Sequence, residues 1–369
     1  MYKNARELLK KINDSGYESY IVGGVVRDYI LGLKSIDVDI CTNATPKEIK
    51  NIFKGAVMPS EKYGAVTLIY KKVRYEITTY RKEIKYDDYR RPSKLEYIDD
   101  LLEDLKRRDF TINTFCMDSD GNVIDLLNAK EDLDNKIIRT VGNPKQKLKE
   151  DVLRILRAIR FATSLNFDIS DDVKKAIKKN RALLKKLSYT RKKEELTKIF
   201  TSPNAAYGIS LIKELKLGKH LELSNLSTLK IVDDIMGIWA QLDVLYIYPF
   251  NKVEKETIKN ITEVLKEPII DNYILYKYGL YITTVVASIK GIDKCVINKQ
   301  YLSLPIKERK EIAFDVDYIC SKYNIKAGKW VKDVYLLLEK KILEGSLENK
   351  KEDINKYIKT YIDEKKLSK

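Results

Sequence analysis

Apolar residues follow two different periods along this chain. In roughly the first third, short stretches in which apolar and polar residues alternate predict β-strands. From about residue 136 onward, apolar residues recur every three or four positions, which predicts amphipathic helices. The pattern therefore predicts an α/β unit followed by an all-α remainder.

The individual elements follow from these stretches. The predicted strands are 18–22, 36–40, 65–70, 73–80 and 123–126. The predicted helices are 1–15, 45–53, 110–117, 150–161, 188–198, 211–217, 226–245, 254–265, 272–290, 306–323, 329–343 and 350–369. The first part of 81–106 is polar and charged without a clean period, which predicts a mobile loop.

Several residues mark where the predicted helices and strands begin or end. Gly16 can end the first helix. Thr45 can cap the next one, because proline follows it directly and Glu48 lies three residues further on. The pair Lys71-Lys72 leaves room only for a tight turn between two strands. These signals predict the boundaries of the N-terminal elements.

The strongest candidate chemistry lies between residues 20 and 40. Gly23 and Gly24 follow a strand and open a helix, so backbone N–H groups there can approach an anion closely. Asp37 and Asp39 alternate with apolar residues and would lie about 6–7 Å apart on one strand face, where carboxylates can hold divalent cations. A phosphate cradle beside a metal-binding pair predicts phosphoryl or nucleotidyl transfer.

A third carboxylate belongs to a later strand. Glu76 lies in the stretch 73–80, where Tyr75 and Ile77 alternate with it. If that strand pairs beside the strand of Asp39, Glu76 can ligate the metal or orient the site. A solvent-exposed glutamate is the alternative interpretation.

Composition narrows the class of protein. The 369 residues carry a formal net charge of +16, from 70 Lys+Arg against 54 Asp+Glu, which favours a polyanionic partner. The four cysteines are scattered without a Cys-x-x-Cys pair, so we expect buried thiols in the cytoplasm. A single histidine argues against His-based metal sites, and no apolar run reaches the length of a membrane span. We therefore expect no membrane association.

The stretch 150–161 is a second candidate for recognition chemistry. One face of the predicted helix is apolar, and the other carries Asp151, Arg154, Arg157 and Arg160. An acidic acceptor beside a guanidinium donor matches the Watson–Crick edges of cytosine and adenine and opposes those of uracil and guanine. Asp151 with Arg154 therefore predicts selection of C and A. A surface helix with an Asp–Arg pair is the alternative.

The motifs resemble those of one family. Residues 23–28 followed by 37–39 resemble the head-domain signature of class II tRNA nucleotidyltransferases, the CCA-adding enzymes and related bacterial poly(A) polymerases. Residues 107–114 resemble the family motif Arg-Arg-Asp-Phe-Thr-Ile-Asn-Ala, with Thr114 for Ala, and 150–154 resemble Glu-Asp-x-x-Arg. Residues 188–198 resemble the following motif, with Thr190 where glutamate is usual; we expect Arg191, Glu195 and Lys198 to brace the base-selecting helix.

The resemblance implies roles for individual residues. Asp37 and Asp39 would be catalytic and hold Mg²⁺. The implied nucleotide-binding residues are Gly24, Arg27, Arg108, Asp151, Arg154, Arg157 and Arg160. The implied supporting residues are Gly23, Asp28, Glu76, Asp109 and Asn113. From the residues themselves, Asp109 can cap the helix 110–117, and Arg108 would be free to meet a triphosphate or ribose.

The resemblance also implies an architecture and a reaction. The α/β nucleotidyltransferase head, a small mixed sheet with helices, would span 1–135. All-α domains would follow: the neck 136–200, a body 201–270 and a tail 271–369, the last two gripping the acceptor and T arms of tRNA. The enzyme would add C, C and A to tRNA from CTP and ATP. An A-adding enzyme with a separate CC-adding partner, a poly(A) polymerase and an RNA-binding module with an inactive head remain alternatives. The loop after residue 80 favours an enzyme able to add the terminal A.

Overall fold

The computed structural model describes residues 2–35, 37–60, 64–86 and 92–365. The chain divides into two compact units, Met1–Ser227 and Thr228–Lys369. Three predicted features fall partly outside the described residues: the strand start at residue 36, the loop residues 87–91 and the helix end at 366–369.

The first unit contains all the strands among the described residues. They are β1 Ser19–Val22, β2 Val38–Thr42, β3 Val57–Ser60, β4 Ala65–Tyr70, β5 Val73–Thr79, β6 Arg81–Tyr86, β7 Pro92–Tyr97, β8 Cys116–Met117, β9 Val123–Ile124, β10 Ile137–Ile138 and β11 Asp168–Ile169. Seven of them form one sheet in the order β3-β4-β5-β2-β1-β8-β9. The β2–β5 pair is parallel and the other pairs are antiparallel, so the sheet is mixed as predicted.

Helices of the first unit cover one face of this sheet and continue beyond it. They are α1 Tyr2–Asp14, α2 Gly24–Ile30, α3 Pro46–Ile52, α4 Leu101–Lys106, α5 Ala129–Asp134, α6 Pro144–Glu150, α7 Leu153–Leu165, α8 Asp171–Asn180, α9 Tyr189–Phe200, α10 Ala205–Glu214 and α11 Gly218–Leu221. Helix α1 packs on β1 and α3 on β4. Ile40 and Ile77 are accordingly buried, which fixes the register of β2 and β5.

Several local predictions are confirmed. Thr45 and Glu48 form a capping box at the start of α3, with Pro46 in the first turn. Lys71 and Lys72, with φ of 47° and 65°, form the turn that joins β4 to β5. Two positive φ angles at a two-residue turn match the right-handed twist of the strands, which keeps the hairpin tight.

Two predictions between residues 81 and 117 are wrong. The polar segment after β5 forms the β6–β7 hairpin, because paired backbone groups need no apolar alternation. The stretch predicted as the helix 110–117 forms only a 3₁₀ turn, Thr111–Asn113, before β8. Asp109 therefore caps no α-helix.

The second unit is helical throughout its described residues. Its helices are α12 Ile235–Gln241, α13 Lys252–Lys266, α14 Asn272–Lys290, α15 Lys294–Leu302, α16 Val316–Tyr323, α17 Lys329–Leu343 and α18 Lys351–Lys365. The predicted helices 226–245 and 306–323 are too long, because only α12 and α16 form within them. No helix in the described part of the chain is long and apolar enough to cross a membrane.

The cysteines are only partly as predicted. All four are free thiols, and Cys41 and Cys116 are buried on either side of β1. Cys295 is exposed and Cys320 is partly exposed, so burial was the wrong prediction for these two.

Gly208 of α10 provides a test of helix packing in the first unit. A Cβ there would lie 2.5 Å from Oγ1 of Thr163 and 2.6 Å from Cγ2 of Ile199. Overpacking of this kind costs about 1–3 kcal/mol, more than the gain of about 1 kcal/mol in helix propensity. We expect Gly208→Ala to lower the free energy of unfolding in urea. Gly55→Ala is the matched control, because nothing lies within 4 Å of its Cβ position; equal stability of the two variants would contradict the packing.

Candidate active site

The predicted site residues converge on one cleft of about 570 Å³ in the first unit. Its walls come from the β1–α2 connection, from β2, from the segment after α4 and from the start of α7. All the predicted site residues line this cleft except Glu76: Gly23, Gly24, Arg27, Asp28, Asp37, Asp39, Arg108, Asp109, Asn113, Asp151, Arg154, Arg157 and Arg160.

The chain turns from β1 into α2 at Gly23. Its φ of +86° lies in the left-handed region, which residues with a Cβ rarely adopt. The Gly23 amide donates to the carbonyl of Phe115 at 3.1 Å, which ties the turn to the segment before β8. A Cβ on Gly24 would lie 3.5 Å from Nη2 of Arg27. Glycine thus lets backbone amides lie beside a guanidinium, an arrangement suited to a phosphate group.

The carboxylates lie near the centre of the sheet. Asp37 directly precedes β2 and Asp39 lies within it, and both side chains are exposed. Asp39 is the register partner of Glu76, so the condition under which Glu76 could reach this site is met. Crowding by protein groups removes part of the hydration of Asp39, and the charges of Glu76 and Asp37 add to this. Together they raise the pKa of Asp39 to about 6, against the opposing charges of Arg108 and Arg157.

This donor set fits a divalent cation. Carboxylate oxygens are the ligands that Mg²⁺ prefers, and a cation would relieve the repulsion that raises the pKa of Asp39. Within the described ranges, no three His, Cys, Asp or Glu side chains are grouped closely enough to enclose a metal ion. A cation at Asp37 and Asp39 would therefore take its remaining ligands from water and phosphate, as Mg²⁺ commonly does.

A chain of charged hydrogen bonds links α7 to α2. Arg157 donates from Nε to Oδ2 of Asp109 at 2.7 Å, and Asn113 donates to Oδ1 of Asp109 at 3.0 Å. Arg27 donates from Nη1 to Asn113 at 2.6 Å and from Nη2 to Asp28 at 2.6 Å. Burial would raise the pKa of Asp109, but Arg157 and these hydrogen bonds outweigh it and lower the pKa well below its usual value. The motif residues therefore act as one fixed network.

Arg108 is held in place and is not free as predicted. Its Nη2 lies 3.2 Å from Oδ2 of Asp104, a carboxylate of α4 with a fully buried side chain. Burial acts to raise the pKa of Asp104, but the charges of Arg107 and Arg108 outweigh it and lower the pKa. The Nε of Arg108 is buried without a hydrogen-bond partner among the described residues. The guanidinium is thus fixed beside the Gly23 turn with donor capacity to spare.

Asp151 and Arg154 do not share a helix, contrary to the prediction. Asp151 ends α6 with extended backbone, and its Oδ1 accepts from the Leu153 amide at the start of α7. Arg154 is buried and donates to the carbonyls of Lys147 and Arg107, each at 3.1 Å. The turn between the two helices, rather than helical spacing, brings both residues to the cleft. Most residues of α7 are buried, Arg154 on its charged face included, so it is no surface helix.

Three arginines of the cleft wall lie around the ring of Phe161. The Cζ atoms of Arg160, Arg157 and Arg27 lie 4.0, 5.2 and 5.3 Å from its centroid. Arg160 also donates from Nε to Oε2 of Glu195 on α9 at 2.6 Å. Each guanidinium therefore contacts its own carboxylate partner and also the shared Phe161 ring. These contacts allow three positive charges to lie close together.

Only part of the predicted bracing by α9 is present. Glu195 braces α7 through Arg160, whereas Arg191 pairs with Glu194 on its own helix and Lys198 is exposed. Two residues that hold arginines of the site, Phe161 and Asp104, were not predicted from the sequence. Phe161 lies four residues after Arg157, a spacing that could have indicated contact on a helix. Asp104 precedes Arg107 and Arg108 by three and four residues, the spacing of helical ion pairs.

Known families and proteins match this chain along its length. Family models match residues 19–139 as "Poly A polymerase head domain", 166–226 as "RNA and SrmB- binding site of polymerase A" and 241–358 as "tRNA nucleotidyltransferase domain 2". The CCA-adding enzyme of Ligilactobacillus salivarius is 35% identical over 99% of this chain and 98% of its own length. The chain belongs to the CCA-adding enzymes.

Other members of this family agree in sequence and in fold. The CCA-adding enzyme of Staphylococcus aureus is 31% identical, with 98% of each chain covered. The crystal structure of the Bacillus stearothermophilus CCA-adding enzyme in complex with CTP is similar with a TM-score of 0.85 and 28% identity, covering 99% of this chain and 98% of that one. The mixed-sheet head and the helical remainder are thus the fold of CCA-adding enzymes.

Phe161 allows a test of the arginine cluster. A leucine at this position would remove the ring that three guanidinium groups share, each contact being worth about 0.5–2 kcal/mol. We expect Phe161→Leu to weaken binding of inorganic triphosphate to the cleft by roughly three- to tenfold, measured by calorimetry.

Phe167→Leu is the matched control for this experiment. Phe167 is a buried phenylalanine of the same unit, and no cation lies over its ring among the described residues. We expect a comparable loss of stability with unchanged triphosphate binding. If both variants bound triphosphate equally well, Phe161 would have no role in positioning the arginines.

Proposed function

We propose that this chain adds C, C and A in turn to the 3′ end of tRNA, using CTP and ATP and no nucleic-acid template. The observation that carries the proposal is the cleft itself. It joins the Asp37–Asp39 pair, the arginine cluster and the Asp151–Arg154 pair in one volume of about 570 Å³. Full-length similarity to CCA-adding enzymes supports this function over addition of A alone, poly(A) synthesis or RNA binding without catalysis.

Nucleotidyltransferases of this family generally use a divalent metal ion, and we infer that here it is Mg²⁺, held by Asp37 and Asp39. When bound, the ion would lower the pKa of the RNA 3′-hydroxyl and neutralise charge developing on the α-phosphate and pyrophosphate. Asp39 keeps its position because β2 is an inner strand, paired on both sides, and Asp37 directly precedes that strand. Glu76 supports them as the register neighbour of Asp39.

The arginines bind the triphosphate and ribose of the incoming nucleotide. Gly23 and Gly24 supply a close backbone approach, while Arg27 and Arg108 supply positive charge. Arg157 and Arg160 extend the same charged wall along α7. Because Asp109, Asn113 and Asp28 fix this wall before substrate arrives, little side-chain entropy is lost on binding.

Asp151 and Arg154 select the base. A carboxylate accepts from the amino group of C or A, and a guanidinium donates to the neighbouring ring nitrogen. With uracil or guanine, a carbonyl of the base would face the carboxylate and an N–H of the base would face the guanidinium. Each group left unpaired in this way would cost about 1–3 kcal/mol. The contacts of Arg154 with the carbonyls of Lys147 and Arg107 hold its guanidinium rigidly enough to discriminate.

The remaining helices bind tRNA by shape and phosphate contact. We propose that the neck spans 136–200, the body 201–270 and the tail 271–369, the last two gripping the acceptor and T arms. The net charge of +16 supports binding to a polyanion. Four free cysteines suit the reducing cytoplasm, where we place the protein.

Three tRNA transcripts test the function directly. They end at the discriminator base, after one C and after both Cs, and are incubated with labelled CTP and ATP in Mg²⁺. We expect the first transcript to gain two Cs and one A. Addition of A only to the CC-ending transcript would establish an A-adding enzyme instead, and long A tails a poly(A) polymerase.

We expect Asp37→Ala to abolish transfer while leaving tRNA binding nearly intact; equal loss of binding would contradict its catalytic role.

Arg154→Ala tests base selection. Removing the guanidinium takes away the donor that distinguishes C and A from U and G, so we expect incorporation of UMP or GMP to rise about 10- to 100-fold relative to CMP. The measurement is the ratio of kcat/KM for the four nucleotides on the first transcript. Unchanged ratios would remove Arg154 as a base-selecting residue.

A further inference from the structure

The open face of the sheet continues beyond Asp39 onto β5 and β4. In the register of these strands, Asp39 lies beside Glu76, and Glu76 lies beside Thr67. One strand repeat away, Arg74 lies beside Ile69. Because side chains two residues apart share a face, Arg74 and Ile69 lie on the same face as Asp39.

The side chains on this part of the face are exposed. Ile69 is 72% exposed, and Arg74 and Glu76 are also exposed, whereas Tyr75 and Ile77 on the opposite face are buried. In the described part of the chain, Arg74 makes no hydrogen bond or ion pair. An unpaired cation and an exposed aliphatic side chain thus lie one strand repeat from the level of Asp39 and Glu76.

The nucleotide cleft lies on the other side of Asp39. It is lined by Gly23, Gly24 and Arg108, and no described residue of β4 or β5 contributes to its wall. In an in-line displacement the attacking and leaving oxygens lie on opposite sides of the phosphorus. If the pyrophosphate leaves on the cleft side, the attacking 3′-hydroxyl must approach from the β5–β4 side.

We propose that this exposed surface, formed by Arg74 and Ile69, is the docking site for the 3′-terminal nucleotides of the acceptor RNA. Arg74 binds the phosphate between the last two nucleotides, and Ile69 packs against the terminal ribose or base. The negative charges of Glu76 and Asp39 keep phosphates away from the carboxylate end of the surface. This charge pattern directs the 3′-hydroxyl towards Asp39 and the phosphate towards Arg74. The inference rests on the proposed RNA 3′-end transferase function.

Charge variants at Arg74 separate this surface from the nucleotide cleft. We expect Arg74→Gln to raise the KM for a tRNA transcript ending at the discriminator base roughly tenfold, with the KM for CTP unchanged. The slope of log KM for tRNA against log salt should fall by about 0.7, the contribution of one single-stranded phosphate. Arg74→Lys should restore most of the loss. The matched control is Lys50→Gln, an exposed lysine of α3, a helix that packs against the covered side of the sheet.

A second measurement identifies the phosphate that Arg74 binds. A transcript with an uncharged methylphosphonate in place of its last phosphate should raise the KM of the wild-type chain about as much as Arg74→Gln does. Testing the methylphosphonate transcript with the Arg74→Gln variant should raise the KM little further, because both changes remove the same contact. Additive effects would show that Arg74 acts on another part of the tRNA and would overturn the docking site.

The outcomes distinguish this inference from the function on which it rests. If the wild type adds C, C and A while Arg74→Gln keeps the wild-type KM for tRNA, the docking site is wrong and the function stands. A rise in the KM for CTP alone would show that Arg74 binds the nucleotide, and this result would also overturn the docking site. Failure of the wild type to extend any RNA would overturn both.

Discussion

The cleft depends on buried and partly buried arginines, each held by a carboxylate. Arg27, Arg157 and Arg160 share the ring of Phe161, and each pairs with its own acidic residue. Taking a guanidinium out of water without such a partner would cost several kcal/mol. The pairs remove that cost and still leave N–H groups directed at the cleft. A strongly charged ligand therefore meets donors that already have their final positions.

The sheet determines where the cleft and the exposed strands lie relative to the carboxylates. Strand β2 is an inner strand, with β1 on one side leading into the glycine turn and β5 on the other carrying Glu76. Asp37 and Asp39 consequently line the arginine-rich cleft at its border with the exposed face of β5 and β4. A mixed sheet achieves this because antiparallel β1 ends at the edge where parallel β2 and β5 begin. In the proposed reaction, the nucleotide and the RNA 3′ end thus approach these carboxylates from different sides.

The sequence by itself determined the local chemistry of this protein. The glycine pair, the Asp-x-Asp spacing and the capping box at Thr45 depend on neighbours within a few residues, so their consequences follow from covalent geometry and helix or strand periodicity. The same holds for long amphipathic helices such as Lys329–Leu343, whose bounds match the prediction. Motif order along the chain was sufficient to indicate the family, and the family indicated the fold.

Only the tertiary structure decided which partner each charged side chain takes. Arg108 was predicted to be free but is fixed by Asp104, and Asp151 reaches the cleft through a turn rather than along a helix. The polar segment after residue 80 pairs with itself as a hairpin. The motif after Asp109 forms a 3₁₀ turn, in which Asn113 accepts from Arg27, 86 residues away in sequence. Such contacts join distant segments, and a buried charge takes whichever opposite charge the fold brings near. Local periodicity carries no information about that choice.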